Sequence, residues 1–285
     1  MPAPFEHIVY EVSAGVAHVV LNRPDKLNAI GVQTREEIAR ALTAASNDEG
    51  IGCVLIRANG RAFCAGGDLG RIGDAPAPDT LKDNQRLNEQ IMAFNAAIRD
   101  TPKPVIAAVH GLCLGTALGF IAQCDFVIAA DDTKFGLIEG RIGHPGATDL
   151  VPVIGAAWTK FLIMTGEMID AWRAERIGLV LTVEPDNLLL TRATDLAERL
   201  ARMPREALGL NKAAIEAVLE SSGRAEGRIA GRACDAVTKT AASAARAPDG
   251  RRFEDILRDE GMAGMKAARG RQYDENWLPK LGPMG

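Results

Sequence analysis

The chain has 285 residues, of which 47% are hydrophobic and 25% charged, and a formal net charge of −4. Such a size and balance fit one main globular core with a smaller terminal piece. They argue against a nucleic-acid partner, which needs a concentrated basic face, and no window reaches the ~18 uninterrupted apolar residues of a membrane span. The five cysteines have no C-x-x-C spacing and the four histidines are scattered, so neither a disulfide framework nor a metal site is expected. The opening MPAPFEHIVYEVSAG lacks a basic segment followed by an apolar one, which predicts a cytoplasmic protein.

In chain order, His7–Val12 and Val16–Leu21 flank Ser13-Ala14-Gly15 and read as a β-hairpin. Pro24 then breaks the second strand. Ile38, Ala41, Leu42 and Ala45 recur at helical spacing, and Cys53–Ala58 is a buried strand closed by the Asn59-Gly60 turn. The segment RAFCAGGD (61–68) places Gly66 and Gly67 after a short apolar piece, where backbone can approach a ligand closely. Gly70–Asp83, rich in Gly and Pro, reads as a mobile loop at the mouth of a site. Asn84–Ile98 follows as a helix with Leu87, Ile91, Phe94 and Ile98 on its core face.

The stretch Lys103–Glu139 organises the rest. Val105–Val109 is a short β-branched strand, Gly111 and Gly115 bracket a turn, and Thr116–Gln123 is a helix apolar nearly all round. Its first backbone N–H groups lack helical partners, so the turn suits an anion or an oxyanion that exists only along a reaction path. A second strand then ends at Glu139. Beyond a Gly- and Pro-rich segment, helices are predicted through AAWTKFLIMTG, over Ile169–Leu179 and over Leu188–Met203, with a strand at Leu179–Val183. Pro204 divides the chain into a core over 1–204 and an Ala-, Arg- and Glu-rich helical region over 205–285, interrupted at 247–250.

Five blocks in order, LNRPDKLNAI, RAFCAGGDL, KPVIAAVHGLCLGTALGFIAQCD, FGLIE and TGEMIDAWRAERIGLV, resemble the signature blocks of the crotonase, or enoyl-CoA hydratase/isomerase, family. The match spans roughly residues 8–183, with a weaker echo in EGMAGMKAARGRQYD. The resemblance implies an α/β fold, a crotonase-like spiral of ββα units with a C-terminal helical trimerisation region, and hence a homo-trimer or hexamer. It implies an acyl-CoA thioester substrate with coenzyme A as part of that substrate and no separate cofactor or metal. The thioester oxygen would sit between the N–H groups of Gly67 and Thr116. Lys26, Leu27, Ala65, Asp68 and Leu69 would contact the CoA portion, Lys26 being the cation there suited to a phosphate.

The carboxylates depart from the family pattern. A typical hydratase holds one water between two glutamates; the second is present as Glu139, but the first falls on Gly119, and the loop after Glu139 is shorter than usual by about four residues. One carboxylate and an oxyanion hole suffice to move a proton beside a thioester carbonyl. The sequence therefore points to an enoyl-CoA isomerase or an atypical hydratase or lyase, with His144 and Asp149 as additional acid or base candidates. The alternatives are a non-catalytic acyl-CoA binding protein, disfavoured by a carboxylate in an apolar pocket, and a serine-type hydrolase, disfavoured because neither turn carries a serine.

Overall fold

The computed structural model describes residues 4–68, 81–143, 148–242, 244–270 and 277–283. It opens with the hairpin β1 (Ile8–Ser13) and β2 (Val16–Leu21), antiparallel and joined through Ala14-Gly15. Both turn residues have positive φ, which matches a two-residue connection to the twist of the strands. Then come α1 (Val32–Asn47), β3 (Cys53–Ala58), α2 (Leu81–Arg99), β4 (Val105–Val109), β5 (Leu112–Leu114), α3 (Thr116–Ile121), β6 (Phe126–Ala130) and β7 (Lys134–Gly136). The chain continues through α4 (Val151–Thr165), β8 (Met168–Asp170), α5 (Ala171–Arg176), β9 (Thr182–Glu184), α6 (Asp186–Ala201), α7 (Arg205–Leu219), α8 (Ala225–Ala242) and α9 (Phe253–Gly270).

A six-stranded sheet has the order β1-β2-β3-β4-β6-β9 and is parallel beyond the hairpin; a small sheet has the order β5-β7-β8. The large sheet is buried on both faces. Val19, Val54, Ile56, Val105, Ala107 and Val127 point into the main core with α1, whereas Val16, Leu55, Ile106, Ile128 and Ala130 pack against Leu189, Ala193 and Ala197 of α6. That two-sided burial is why these strands read as unbroken apolar runs instead of alternating ones. Truncating a fully buried residue such as Leu55 or Ile106 to alanine should cost roughly 2–5 kcal/mol.

The connections repeat one plan. In β4–β5–α3 and again in β6–β7–α4, the first strand joins the large sheet, the second joins the small one, and a helix follows. Residues after β3 do the same with single bridges: Cys64 pairs with Cys113 of β5 and Gly67 pairs with Ile30 before the chain enters α2. This is the expected spiral of ββα units. Its consequence is positional: Gly67, Thr116 and Glu139 each follow the second strand of three successive units.

Some expectations need revision. The three-residue strands β5, β7 and β8 were too short to leave a periodic signal, so Ile169 and Asp170 lie in a strand and the helix predicted over Ile169–Leu179 is confined to Ala171–Arg176, while the later strand is Thr182–Glu184. The last three residues of the expected loop Gly70–Asp83 already belong to α2, and those before them lie outside the described residues. No helix among the described residues is long and apolar enough to cross a membrane. The C-terminal helices dock on the core at two places. Lys212 of α7 donates to Asp125 (2.7 Å), which also accepts from the Val105 N–H (2.7 Å), and α9 buries Phe253, Ile256, Met265 and Ala268 around Ile142, three residues after Glu139.

Candidate active site

Gly67 is oriented by its neighbours. Ile30 donates its N–H to Gly66 O (2.9 Å) and accepts from Asp68 N–H (3.1 Å), so the parallel bridge uses the residues on either side and turns Gly67's own N–H away from Ile30. The start of α3 is close by: a Cβ added to Gly67 would stand 3.7 Å from Thr116 Oγ1. The approach to Thr116 is made by Gly115, at φ 58° and ψ −124°, which donates to Gly136 O (2.8 Å). A conformation in that region of φ favours glycine. Neither Gly67 N–H nor Thr116 N–H has an acceptor among the described residues.

Glu139 enters from the third unit. Pairing of Leu114 with Gly136 carries the chain past Gly115, and the 3-10 turn Ile138–Ile142 then sets the carboxylate against the Gly115 backbone. Its Oε2 is buried without a hydrogen-bond partner. Burial pushes the carboxyl up to about 7, opposed by a bond from its own backbone N–H and by the charge of Arg269 on α9. An acid poised near neutral pH can both take and return a proton.

The rest of α3 is packed away: Ala117, Leu118, Phe120 and Ile121 are buried, leaving Thr116 and Gly119 as the partly open positions three residues apart. A Cβ at Gly119 would lie 3.9 Å from Asn95 Nδ2, and that amide donates to Asp149 Oδ2 (3.1 Å). Burial raises the Asp149 carboxyl above the usual range despite the Asn95 bond and the charges of Arg228, Arg99 and Arg224. Of the two additional acid or base candidates, Asp149 is linked to the neighbourhood of Gly119 through Asn95, whereas His144 lies outside the described residues.

Of the residues expected to contact CoA, Lys26, Leu27, Ala65 and Asp68 are among those described. Lys26 is exposed on the 3-10 turn Pro24–Lys26, Leu27 follows at φ 49°, and its carbonyl accepts the Ala65 N–H (3.0 Å). Asp68 is tied down: its N–H goes to Ile30 and its carboxylate meets Arg23 Nη1 at 2.7 Å. Leu69 lies outside the described residues. Asn28 and Arg23 hold this region, and Asn95 meets Asp149 near Gly119; none of the three stands out from the sequence as a site residue. Asn28 is buried and bonds Arg23 N–H, Asn59 O and Ala62 O; Arg23 also donates to Ala29 O; and Asn95 sits on the shoulder of the apolar stripe of α2. A polar residue next to a core stripe was the available signal for Asn95.

Residues 11–246 match the family model described as enoyl-CoA hydratase/isomerase. The chain is 35% identical over 222 residues to a probable enoyl-CoA hydratase, echA8, of Mycobacterium tuberculosis (strain CDC 1551 / Oshkosh), covering 76% of this chain and 84% of that one. It is 36% identical over 217 residues to 1,2-epoxyphenylacetyl-CoA isomerase of Escherichia coli (strain K12), covering 74% and 82%. Among solved structures, an enoyl-CoA hydratase/isomerase from Xanthobacter autotrophicus Py2 superposes with a TM-score of 0.88 at 28% identity, over 95% of this chain and 100% of that one. With the three-unit geometry these matches agree: the chain belongs to the enoyl-CoA hydratase/isomerase family.

Proposed function

We propose that the protein processes acyl-CoA thioesters through an enolate, with the thioester oxygen between the N–H groups of Gly67 and Thr116 and Glu139 moving the proton. The observation carrying this reading is the buried Glu139 carboxyl near neutrality set against Gly115, while Gly119 supplies no second carboxylate from α3. Proton counting favours an isomerase, or an atypical hydratase or lyase. Isomerisation needs one group to carry a proton between two carbons, whereas hydration must deprotonate a water, deliver it and protonate the neighbouring carbon. Lys26, with the backbone around Leu27, Ala65, Asp68 and Leu69, would hold the CoA portion. A relative named as an isomerase stands beside those named hydratases.

The direct assay compares two substrates on the unmodified protein. Conversion of 3-hexenoyl-CoA to the 2-enoyl isomer should exceed hydration of crotonyl-CoA by at least about tenfold. Hydration as fast as isomerisation would remove the isomerase reading.

A further inference from the structure

Arg35 is a buried cation without a counter-ion. It stands on α1 four residues after Gly31, is only 8% exposed, and its Nε is enclosed with no hydrogen-bond partner. No group among the described residues accepts from either Nη, and both keep some open surface. The charge cannot be shed, because a guanidinium stays protonated throughout the physiological range. Nor does a neighbour neutralise it. Burial pushes the nearby Cys64 thiol up to about 12, so it stays uncharged. Glu37 accepts the N–H groups of Glu6, His7 and Ile8 and the Gln33 amide, and Asp68 meets Arg23 at 2.7 Å. A desolvated charge left in this state is costly, and an anion brought by a ligand recovers that cost.

The place of Arg35 in the fold says which anion. Residues 27–35 run alongside the loop 64–68: Leu27 O accepts the Ala65 N–H (3.0 Å), Ile30 bonds Gly66 O and the Asp68 N–H on either side of Gly67, and a Cβ on Gly31 would stand 3.6 Å from Asp68 Cβ. Taken in order, these contacts lead from residues expected to hold CoA to the donor expected at the thioester oxygen. Arg35 comes one helical turn later, with its N–H on Gly31 O (3.2 Å) and its guanidinium near Cys64, whose Sγ receives the Gly66 N–H (3.4 Å). The unpaired fork therefore stands behind the bend that presents Gly67, at the opposite end of the run from the exposed Lys26 that suits a phosphate. A planar fork of N–H donors matches a carboxylate through two parallel bonds.

We propose that Arg35 takes a carboxylate carried by the acyl group, so that the protein selects thioesters of dicarboxylic acids over plain fatty acyl chains. The proposal rests on the acyl-CoA reading above and adds the class of acyl group. It also accounts for an arginine at a buried helix position where an aliphatic side chain would pack without an electrostatic cost.

The test is calorimetric binding of glutaryl-CoA against pentanoyl-CoA and of adipyl-CoA against hexanoyl-CoA, each diacid paired with the monoacid of its length. For at least one pair the unmodified protein should prefer the diacid by about tenfold, the usual worth of hydrogen bonds to a charged partner. Arg35→Met, which keeps the stem and removes the charge, should bring that ratio to about two or less, and Arg35→Lys should restore part of it. A merely structural role would weaken diacid and monoacid together and leave the ratio alone. Monoacids that bind, with both unmodified ratios near one, would overturn the subsite; if none of the four thioesters binds, the acyl-CoA reading falls and the subsite with it. Free CoA and 3′-dephospho-CoA separate the other source of an anion. An affinity difference between those two that Arg35→Met abolishes would assign Arg35 to the nucleotide phosphate and overturn the acyl assignment.

Discussion

Glu139 is seated where Gly115 has no side chain: a Cβ there would stand 3.0 Å from both Oε1 and Oε2. Gly115 also has φ 58° with ψ −124°. Gly115→Ala should therefore do two things at once. The backbone strain should lower stability by about 1–3 kcal/mol, and displacing the carboxylate should reduce turnover by roughly a hundredfold, since misplacement by about 1 Å costs that much. Thermal unfolding and steady-state kinetics on the same preparation check both.

Stability should carry the signature of Glu139. Its carboxyl rises from the ordinary 4.5 to about 7 on folding. Between those values the folded protein binds the proton that the unfolded chain has released, so stability falls as pH increases across that window and levels off above it. At 1.36 kcal/mol per pH unit the loss is roughly 3 kcal/mol. Glu139→Gln should accordingly be more stable than the unmodified protein at pH 8 by up to that amount, with the difference shrinking toward pH 4. Denaturant titrations at several pH values would show it; an equal difference at every pH would contradict the assignment.

The C-terminal helices should mediate assembly. Leu210, Ile215 and Val218 of α7 and Ile229 and Val237 of α8 are each more than 60% exposed, an apolar load that isolated helices of a soluble monomer rarely carry together. Light scattering should report a trimer or a dimer of trimers, and the pair Leu210→Glu with Ile215→Glu should shift it to smaller species. A stable monomer at micromolar concentration would contradict this.

Docking of α7 should depend on one ion pair. Lys212, 9% exposed at its side chain, bonds both Asp125 Oδ2 and Lys103 O. Lys212→Met removes the cation while keeping the stem, and leaves Asp125 with the Val105 N–H. The expected cost is roughly 3 kcal/mol in urea unfolding, because one charge of a largely buried pair then lacks its partner.

How much of this was legible in the sequence depends on length scale. The hairpin, the β3 and β4 strands and the core face of α1 were readable because each is long enough to show a period or an unbroken apolar run. The glycine turns were readable because φ at Gly66 and Gly115 is positive and few residues tolerate that. The small sheet was not: strands of three residues leave no pattern, yet they carry Thr116 and Glu139 to one place. Buried polar contacts were equally hidden. Glu37, on the core side of α1, accepts from the N–H groups of Glu6, His7 and Ile8, and Asn95 meets Asp149 across 54 positions; pairings of that kind follow from the fold, not from spacing.

Generation of a thioester enolate by Gly67, Thr116 and Glu139 together would be read from exchange of the C2 protons of butyryl-CoA with deuterium oxide, followed by NMR. The unmodified protein should catalyse exchange, and Glu139→Gln should slow it by two to four orders of magnitude, the usual worth of general acid–base catalysis, with butyryl-CoA affinity nearly unchanged. No exchange by the unmodified protein, or undiminished exchange in Glu139→Gln, would contradict the account.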